Sequence, residues 1–367
     1  MNVLYLLNYA GKAGTERYVE LLCRSLSGDG RIRPFFAYHE GGELAEKLRE
    51  MGVPVRQLTM SSRFDVKAAK QLAALCREWQ IDVLHCHYLR ENYIALMAKT
   101  WAPKLKIVYT NHFLLPNNWH TRLTNRLLDR RQSVMIAVCS VGKTLLAQNG
   151  WGEKHIRIIH NGVDPKLWAG KRADSTLRRE LGIPEDRFVL LCASRFSPEK
   201  GHEFLLRSLS QVKERTKTPF SVVLAGDGDL LEPMKALGKE LGLEEDLYFL
   251  GFRTDMKNLY LGADLFVNAS ETEALSFMNL EAMASGLPAV ITEVGGNPDI
   301  VRGEQDGGLL VPYGDAEALA QAFARFLEDP AFRDRSAERA RQRVLDAFTL
   351  DGMVEETFRA YQDALGM

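Results

Sequence analysis

Nowhere does the chain carry an apolar run near the roughly 18 residues that a membrane-spanning helix requires. Its opening residues, MNVLYLLNYA, lack a basic start and a small-residue cleavage site. Neither a membrane span nor a secretory leader is expected, and the chain reads as cytoplasmic. Cysteine is scarce: Cys23, Cys76, Cys86, Cys139 and Cys192 are odd in number, scattered and mostly set in apolar periodic segments. They read as reduced core thiols, not as a disulfide framework. Charge of neither sign is in excess, since 47 Lys and Arg face 48 Asp and Glu for a formal net charge of -1. A nucleic-acid partner would ordinarily bring a strongly basic domain. Low-complexity tracts and short repeats are also missing. The HCH triplet at His85 to His87 invites a metal reading, but Cys86 points to the opposite strand face and no second Cys/His pair lies at ligand spacing. LAGDGDLL at Leu224 is not G-x-G-x-x-G and begins well inside the second half, which argues against a nicotinamide enzyme.

What is present is a soluble globular mixture, 46% hydrophobic and 26% charged, over 367 residues. That length is long for one core and favours two domains. Short runs rich in Val, Ile, Leu and Phe alternate with segments of helical periodicity, the signature of a parallel sheet covered by helices on both faces. Strands are expected at VLYLL from Val3, FFAYH from Phe35, VPVRQL from Val53, DVLHCHY from Asp82, IVYTNHF from Ile107 and VMIAVC from Val134. A helix capped by Asp65 sets Val66, Ala69, Leu72, Ala73 and Cys76 on one face. After IIHNGVD a polar stretch with Pro165 runs to about Ser175 and reads as the linker. A second alternation follows, with FVLLCAS from Phe188, VVLAG from Val222, YFLGF from Tyr248, DLFVNAS from Asp264, AVITEV from Ala289 and GLLVP from Gly308. The expectation is α/β throughout: two Rossmann-like, doubly wound domains, 1–165 and 166–349, facing a central cleft, with a terminal helix at about 350–367 packing back on the first. Ligands in such sheets bind at the carboxyl ends of strands.

The segment SETEALSFMNLEAMASGLP from Ser270 is the most specific feature. Glu273 and Glu281 have seven residues between them across a strand-to-helix turn. With a helix starting near Ser276, Glu281 lies on its second turn, roughly 7 Å along the axis, and Glu273 in the loop before it. Amides at Ser276, Phe277 and Met278 would be open donors at a helix N-terminus, which favours a diphosphate between the two carboxylates. ASRFSPEKGHEFLL sets Arg195 and Lys200 just beyond a strand, where two cations suit a pyrophosphate leaving group. The first strand-turn-helix carries Gly11 and Gly14, which allow backbone to approach a phosphate closely, and Thr15, which can cap the helix.

Taken together with TNHF at Thr110, IIHNGVD at Ile158, SRFSPEKG at Ser194, FLGF at Phe249, AGTE at Ala13 and VGGNPDIV at Val294, these segments give a chain that resembles the retaining, family 4 (group 1) glycosyltransferases of GT-B architecture. The resemblance implies that Gly14, Arg195 and Lys200 contact the donor diphosphate and that Glu281 binds the ribose hydroxyls. It further implies that Glu273 contacts the transferred sugar, that His112 lies near the reacting carbon, and that backbone around Phe252 and Arg253 holds the base. Ala13 stands where the family often has glycine, and Asp299 where it often has glutamate. The implied activity is transfer of a sugar from a nucleoside-diphosphate sugar, UDP-linked on base rates, to an acceptor hydroxyl of a glycan, lipid-linked or small-molecule acceptor. No metal or other cofactor is expected, because the cationic clamp takes a metal's role. The alternatives are a sugar-nucleotide epimerase or hydrolase on the same scaffold and a non-catalytic binding subunit. Finally, WHTRLTNRLLDRR over 119–131 repeats Arg122, Arg126 and Arg130 beside Leu123, Leu127 and Leu128. It fits either a solvated helix face or a peripheral contact with anionic lipid at the inner face of a membrane.

Overall fold

Every residue of Val83–Cys86 and of Val134–Ala137 is buried, as strands covered on both faces require, so the runs read as continuously apolar and not as alternating. The computed structural model describes residues 1–11 and 13–367 and divides into two units, Met1–Asn161 with Leu350–Met367, and Gly162–Thr349.

The first unit holds β1 (Asn2–Tyr9), β2 (Arg33–Glu40), β3 (Val55–Gln57), β4 (Val83–Cys86), β5 (Lys106–Asn111), β6 (Val134–Ala137) and β7 (Ile156–Ile158). They form one sheet in the order β3-β2-β1-β4-β5-β6-β7, with every pairing parallel. β7 is an edge strand of three residues that no sequence pattern announces. The helix Val66–Glu78 is capped by Asp65, which accepts from the Ala68 amide at 2.9 Å. It buries Ala69, Leu72, Ala73 and Cys76 but leaves Val66, expected on the same face, exposed at the first helical position. The helix Leu350–Leu365 belongs to this unit and buries Met353, Val354, Thr357, Ala360, Tyr361 and Ala364. The five cysteines are free and buried.

In the second unit β8 (Phe188–Ala193), β9 (Phe220–Ala225), β10 (Leu247–Gly251), β11 (Leu265–Asn268), β12 (Ala289–Thr292) and β13 (Gly308–Val311) make a parallel sheet in the order β10-β9-β8-β11-β12-β13. The polar stretch after Asp164 contributes the short helix Pro165–Trp168 and a helical turn at Arg172–Asp174 to this unit. Arg172 and Arg178 converge on Asp264, at the start of β11. Where the chain enters and leaves the unit, the Val163 amide donates to the Phe348 carbonyl at 2.9 Å, and Val163 pairs with Thr349.

Each sheet reverses its strand order once, between β1 and β4 in the first unit and between β8 and β11 in the second. The diverging connections leave a crevice at the carboxyl ends of those two strands, the usual ligand position in an open parallel sheet.

Candidate functional site

In the second unit the switch point sets the loop after β8 beside the loop after β11. Lys200 and Glu273, 73 residues apart, meet there, with Nζ at 2.8 Å from Oε2. Their side chains are 20% and 16% exposed, covered enough to strengthen the pair yet open to a ligand. Ser270 Oγ lies 3.5 Å from the same carboxylate oxygen, and the Gly296 amide donates to the Glu273 carbonyl at 3.1 Å. Arg195 stands apart from this pair: its side chain is 72% exposed and lies 3.8 Å from Glu199. The two cations expected to act as one clamp are therefore unequal as found, Lys200 fixed and Arg195 loose.

The loop that carries Arg195 is held by LAGDGDLL. Ser194 and Phe196 amides donate to the Ala225 and Asp227 carbonyls at 3.0 and 2.9 Å. Gly226 adopts φ 147°, and a Cβ there would stand 1.9 Å from the Ser194 carbonyl oxygen. These glycines let two backbone segments touch, a role that a reading for a dinucleotide fingerprint does not reveal.

The helix expected near Ser276 runs Phe277–Ala284. Ser276 is its N-cap, and its Oγ accepts from the Asn279 amide at 3.4 Å, so the helical amides begin with Phe277 and Met278 and Ser276 is not among them. Glu281, on the second turn, is 1% exposed, and its Oε2 accepts from the buried Tyr260 hydroxyl at 3.1 Å. Tyr260 is 21 residues upstream and had no signal in the sequence. Beneath the whole turn runs a chain of amides, half-buried at Asn268 and buried at Asn279 and Asn297: Asn268 Nδ2 donates to Asn279 Oδ1 at 2.9 Å, Asn279 Nδ2 to Asn297 Oδ1 at 3.0 Å, and Asn297 Nδ2 to the Thr292 carbonyl at 2.9 Å. It ties β11, the glutamate helix and the VGGNPDIV loop into one rigid piece. Phe252 follows β10 directly and is exposed. Arg253 is ion-paired with Asp255 at 2.6 Å and Glu180 at 3.2 Å, which holds the Asp255 carboxyl below its ordinary range.

In the first unit the helix after β1 spans Gly14–Gly28 with Ala13 as N-cap. Thr15, expected as the cap, lies inside the helix and is buried, because the helix starts two residues earlier. Glu16 turns its carboxyl back to the backbone of Gly11 and Ala13. The two glycines differ. A Cβ on Gly11 would fall 2.1 Å from the Tyr9 ring, whereas one on Gly14 meets nothing within 4 Å. Protein packing alone thus gives no reason for glycine at position 14.

Beyond β4 and β5 lies a group that spacing alone did not reveal. His85 hydrogen-bonds Tyr361 and Thr110, each at 2.7 Å, through its two ring nitrogens. His87 Nδ1 lies 3.1 Å from His112 Nε2. The rings of His85 and His87 are 4.3 Å apart, and Tyr18 meets His112 edge-on at 5.0 Å. Cys86 faces the opposite side, in the apolar core with Leu84, Tyr93 and Met135. Burial pushes His112 down to about 3 and holds His85 and His87 well below the usual imidazole range, so all three are neutral. Among the described residues no group of three or more His, Cys, Asp or Glu side chains is arranged to hold a metal ion.

The helix Trp119–Leu128, capped by Asn118, is amphipathic in an inverted sense. Its buried residues are the polar Thr121 and Asn125, the latter donating to the Asn149 carbonyl at 2.7 Å. Trp119, Leu123 and Leu127 face outward, Trp119 and Leu127 being 67% and 72% exposed. Arg122, Arg126 and Arg130 are exposed beside them. No helix among the described residues is long and apolar enough to cross a membrane.

Residues 13–167 match the family described as Glycosyltransferase Family 4, and residues 174–343 match Glycosyl transferases group 1. An uncharacterized glycosyltransferase of Methanocaldococcus jannaschii is 30% identical over 315 residues, spanning 78% of this chain and 76% of its own. The UDP-Gal:alpha-D-GlcNAc-diphosphoundecaprenol alpha-1,3-galactosyltransferase of Escherichia coli is 25% identical over 334 residues, 87% of this chain and 85% of its own. The crystal structure of Anabaena HepE in complex with UDP superposes with a TM-score of 0.87 at 22% identity, covering 98% of this chain and 99% of that one. That likeness assigns the GT-B fold. With the paired glutamates and the loops around them in place, the chain belongs to the family 4, group 1 glycosyltransferases.

Proposed function

We propose that the enzyme transfers a hexose from a UDP-sugar to an acceptor hydroxyl with retention at the anomeric carbon, in the synthesis of a glycan, a glycolipid or a cell-envelope polysaccharide. The observation that carries this reading is the 2.8 Å contact between Lys200 and Glu273 at the switch point of the second sheet. Lys200, with Arg195 drawn in from solvent, neutralises the diphosphate as its bond to the anomeric carbon breaks. Glu273 orients the sugar and favours positive charge on its ring. The acceptor oxygen bonds to that carbon on the face the diphosphate leaves, and the acceptor's proton passes to a departing phosphate oxygen. No separate base is needed, and the protein's task is positioning. Glu281 takes the ribose hydroxyls, the backbone at Phe252 and Arg253 the base, Gly14 and the amides at Phe277 and Met278 the phosphates, and His112 a place beside the transferred sugar. A UDP donor is supported by the UDP bound in the Anabaena structure and by the UDP-Gal of the Escherichia coli relative. A metal has no role in this scheme.

Gly14 gives the direct test. Because a methyl group there has open space and the helical backbone suits alanine, Gly14→Ala should leave stability unchanged or raise it by about 0.4–1 kcal/mol. A diphosphate against that backbone would be displaced, and the donor KM should rise roughly tenfold. Saturation kinetics with UDP-sugars in EDTA, beside thermal unfolding, check both parts. A wild-type KM in the variant removes the phosphate from this turn, and activity restored only by magnesium or manganese removes the metal-free scheme.

The acceptor is read as lipid-linked, through the helix Trp119–Leu128. A helix that buries Thr121 and Asn125 while exposing Trp119, Leu123 and Leu127 is not an ordinary solvated face, and the adjoining arginines complement anionic headgroups. The protein should float with vesicles rich in phosphatidylglycerol and not with phosphatidylcholine alone. The variant with Ala at Arg122, Arg126 and Arg130 should remain at the bottom of the gradient. Failure of both proteins to float disposes of the lipid contact, and concentration-dependent dimerisation in its place assigns the stripe to a second copy.

A further inference from the structure

His87 and His112 approach each other through Nδ1 and Nε2 at 3.1 Å. Both rings are neutral, so a single proton lies between them, and it can belong to either. If His112 donates from Nε2, His87 must carry its own proton on the other nitrogen. That atom, His87 Nε2, is sealed from solvent and has no hydrogen-bond partner. An N–H group would be stranded in the interior, the arrangement that native structures most avoid. If instead His87 donates from Nδ1, its Nε2 keeps only a lone pair, and His112 carries its proton on Nδ1. His112 Nδ1 has no hydrogen bond among the described residues and is not one of the sealed atoms. Its N–H is then open at the carboxyl end of β5.

The surroundings hold this choice in place. The His85 ring lies 4.3 Å from that of His87, tilted by 31°, but has both nitrogens engaged, by Tyr361 and Thr110, and offers His87 no hydrogen bond. Tyr18 meets both His87 and His112 edge-on, and Tyr5 stacks on His87 at 6.3 Å, so the ring of His87 has little freedom to flip.

We infer that His87 is a positioning residue that fixes His112 as its Nδ1–H tautomer, so that His112 meets a substrate oxygen as a hydrogen-bond donor and not as a base. The inference rests on the reading that His112 lies beside the transferred sugar. It agrees with a transfer in which the departing phosphate takes the acceptor's proton, since a donor at this position leaves no competing base.

The test reads the tautomer first and activity second. In the full-length protein with 15N-labelled histidine, two-bond proton–nitrogen spectra distinguish a protonated Nδ1 from a protonated Nε2, and His112→Gln assigns the His112 signals. The wild type should show His112 protonated on Nδ1. His87→Phe keeps a ring in the stack but removes the donor. In this variant the His112 proton should move to Nε2, with kcat down roughly tenfold, the effect of one oriented hydrogen bond, and donor KM within about twofold. His87→Asn returns an amide N–H near the place of Nδ1–H and should restore both signature and kcat. A wild-type His112 protonated on Nε2 overturns the inference, as does a His87→Phe variant that retains the Nδ1–H signature. Because the spectra need no substrate, an Nδ1–H signature in the wild type that moves in His87→Phe, in a protein inactive toward every UDP-sugar, upholds the tautomer and counts against the proposed function alone.

Discussion

Replacing Lys200 by Met is expected to lower kcat by about a hundredfold to a thousandfold, the range seen when one preorganised group facing a developing negative charge is lost. The side chain is only 20% exposed and is held at 2.8 Å from Glu273, so its charge is already placed before any donor arrives. Glu273→Gln removes the charge of its partner and should lower kcat roughly tenfold to a hundredfold while UDP affinity stays near wild type. Two groups that act as a unit give a double variant little worse than the worse single one. Glu281→Ala behaves differently: a ribose contact changes little as the distant anomeric bond breaks, so donor KM should rise more than kcat falls. Saturation kinetics for each variant, calorimetric titration with UDP and a thermal melt separate these effects from unfolding. If Lys200→Met unfolds at a lower temperature but its folded fraction keeps wild-type kcat, the pair is a structural ion pair and nothing more.

The second large effect is on stability. Asp264→Ala should cost about 3–5 kcal/mol, the usual result of removing one partner from a buried ion pair. Asp264 accepts from the Val189 amide at 2.8 Å and from Arg178 at 2.7 Å, and also binds Arg172. Arg178 is 4% exposed, and although its other N–H groups reach the carbonyls of Gly262, Pro184, Glu185 and Arg187, its charge would be left uncompensated. For a unit of this size the loss corresponds to roughly 6–20 °C in Tm. Because two units need not unfold in one step, differential scanning calorimetry should show the change in the transition of the Gly162–Thr349 unit. A shift below about 2 °C would mean that the arginines find other partners at little cost.

Much of the fold was legible because buried parallel strands advertise themselves. Each of the twelve runs read as a strand overlaps an observed one. β7 escaped because it is three residues long at a sheet edge, with Arg157 and Ile158 exposed, so burial left no imprint on it. VPVRQL shortened to Val55–Gln57 for a related reason, its Pro54 having no amide to give to the ladder. The site was legible where chemistry is local in sequence: the glutamate spacing, the helix start near Ser276, the loop after β8. It was not legible where strands distant in sequence are neighbours in space. Nothing in SETEA tells that Lys200 would pair with Glu273, because that follows from β8 lying beside β11. Asn268, Asn279 and Asn297 form one hydrogen-bonded chain drawn from a strand and two different helices, so no periodicity within a single element links them. The histidines of HCH were read against a metal role, and their packing with His112 came only with the fold.

The second unit begins and ends at one spot, where Val163 donates to Phe348 and pairs with Thr349. The whole stretch from Gly162 to Thr349 is an insertion whose two ends are fastened to each other, so exchanging it opens no long loop and asks little of the chain on either side. Recombination can therefore lift out the half that carries Lys200 and Glu273 as a cassette and set in another. Under the proposed function, the part of the donor site built by Lys200 and Glu273 becomes heritable separately from the first unit, and new combinations of the two units can arise by shuffling rather than by point mutation.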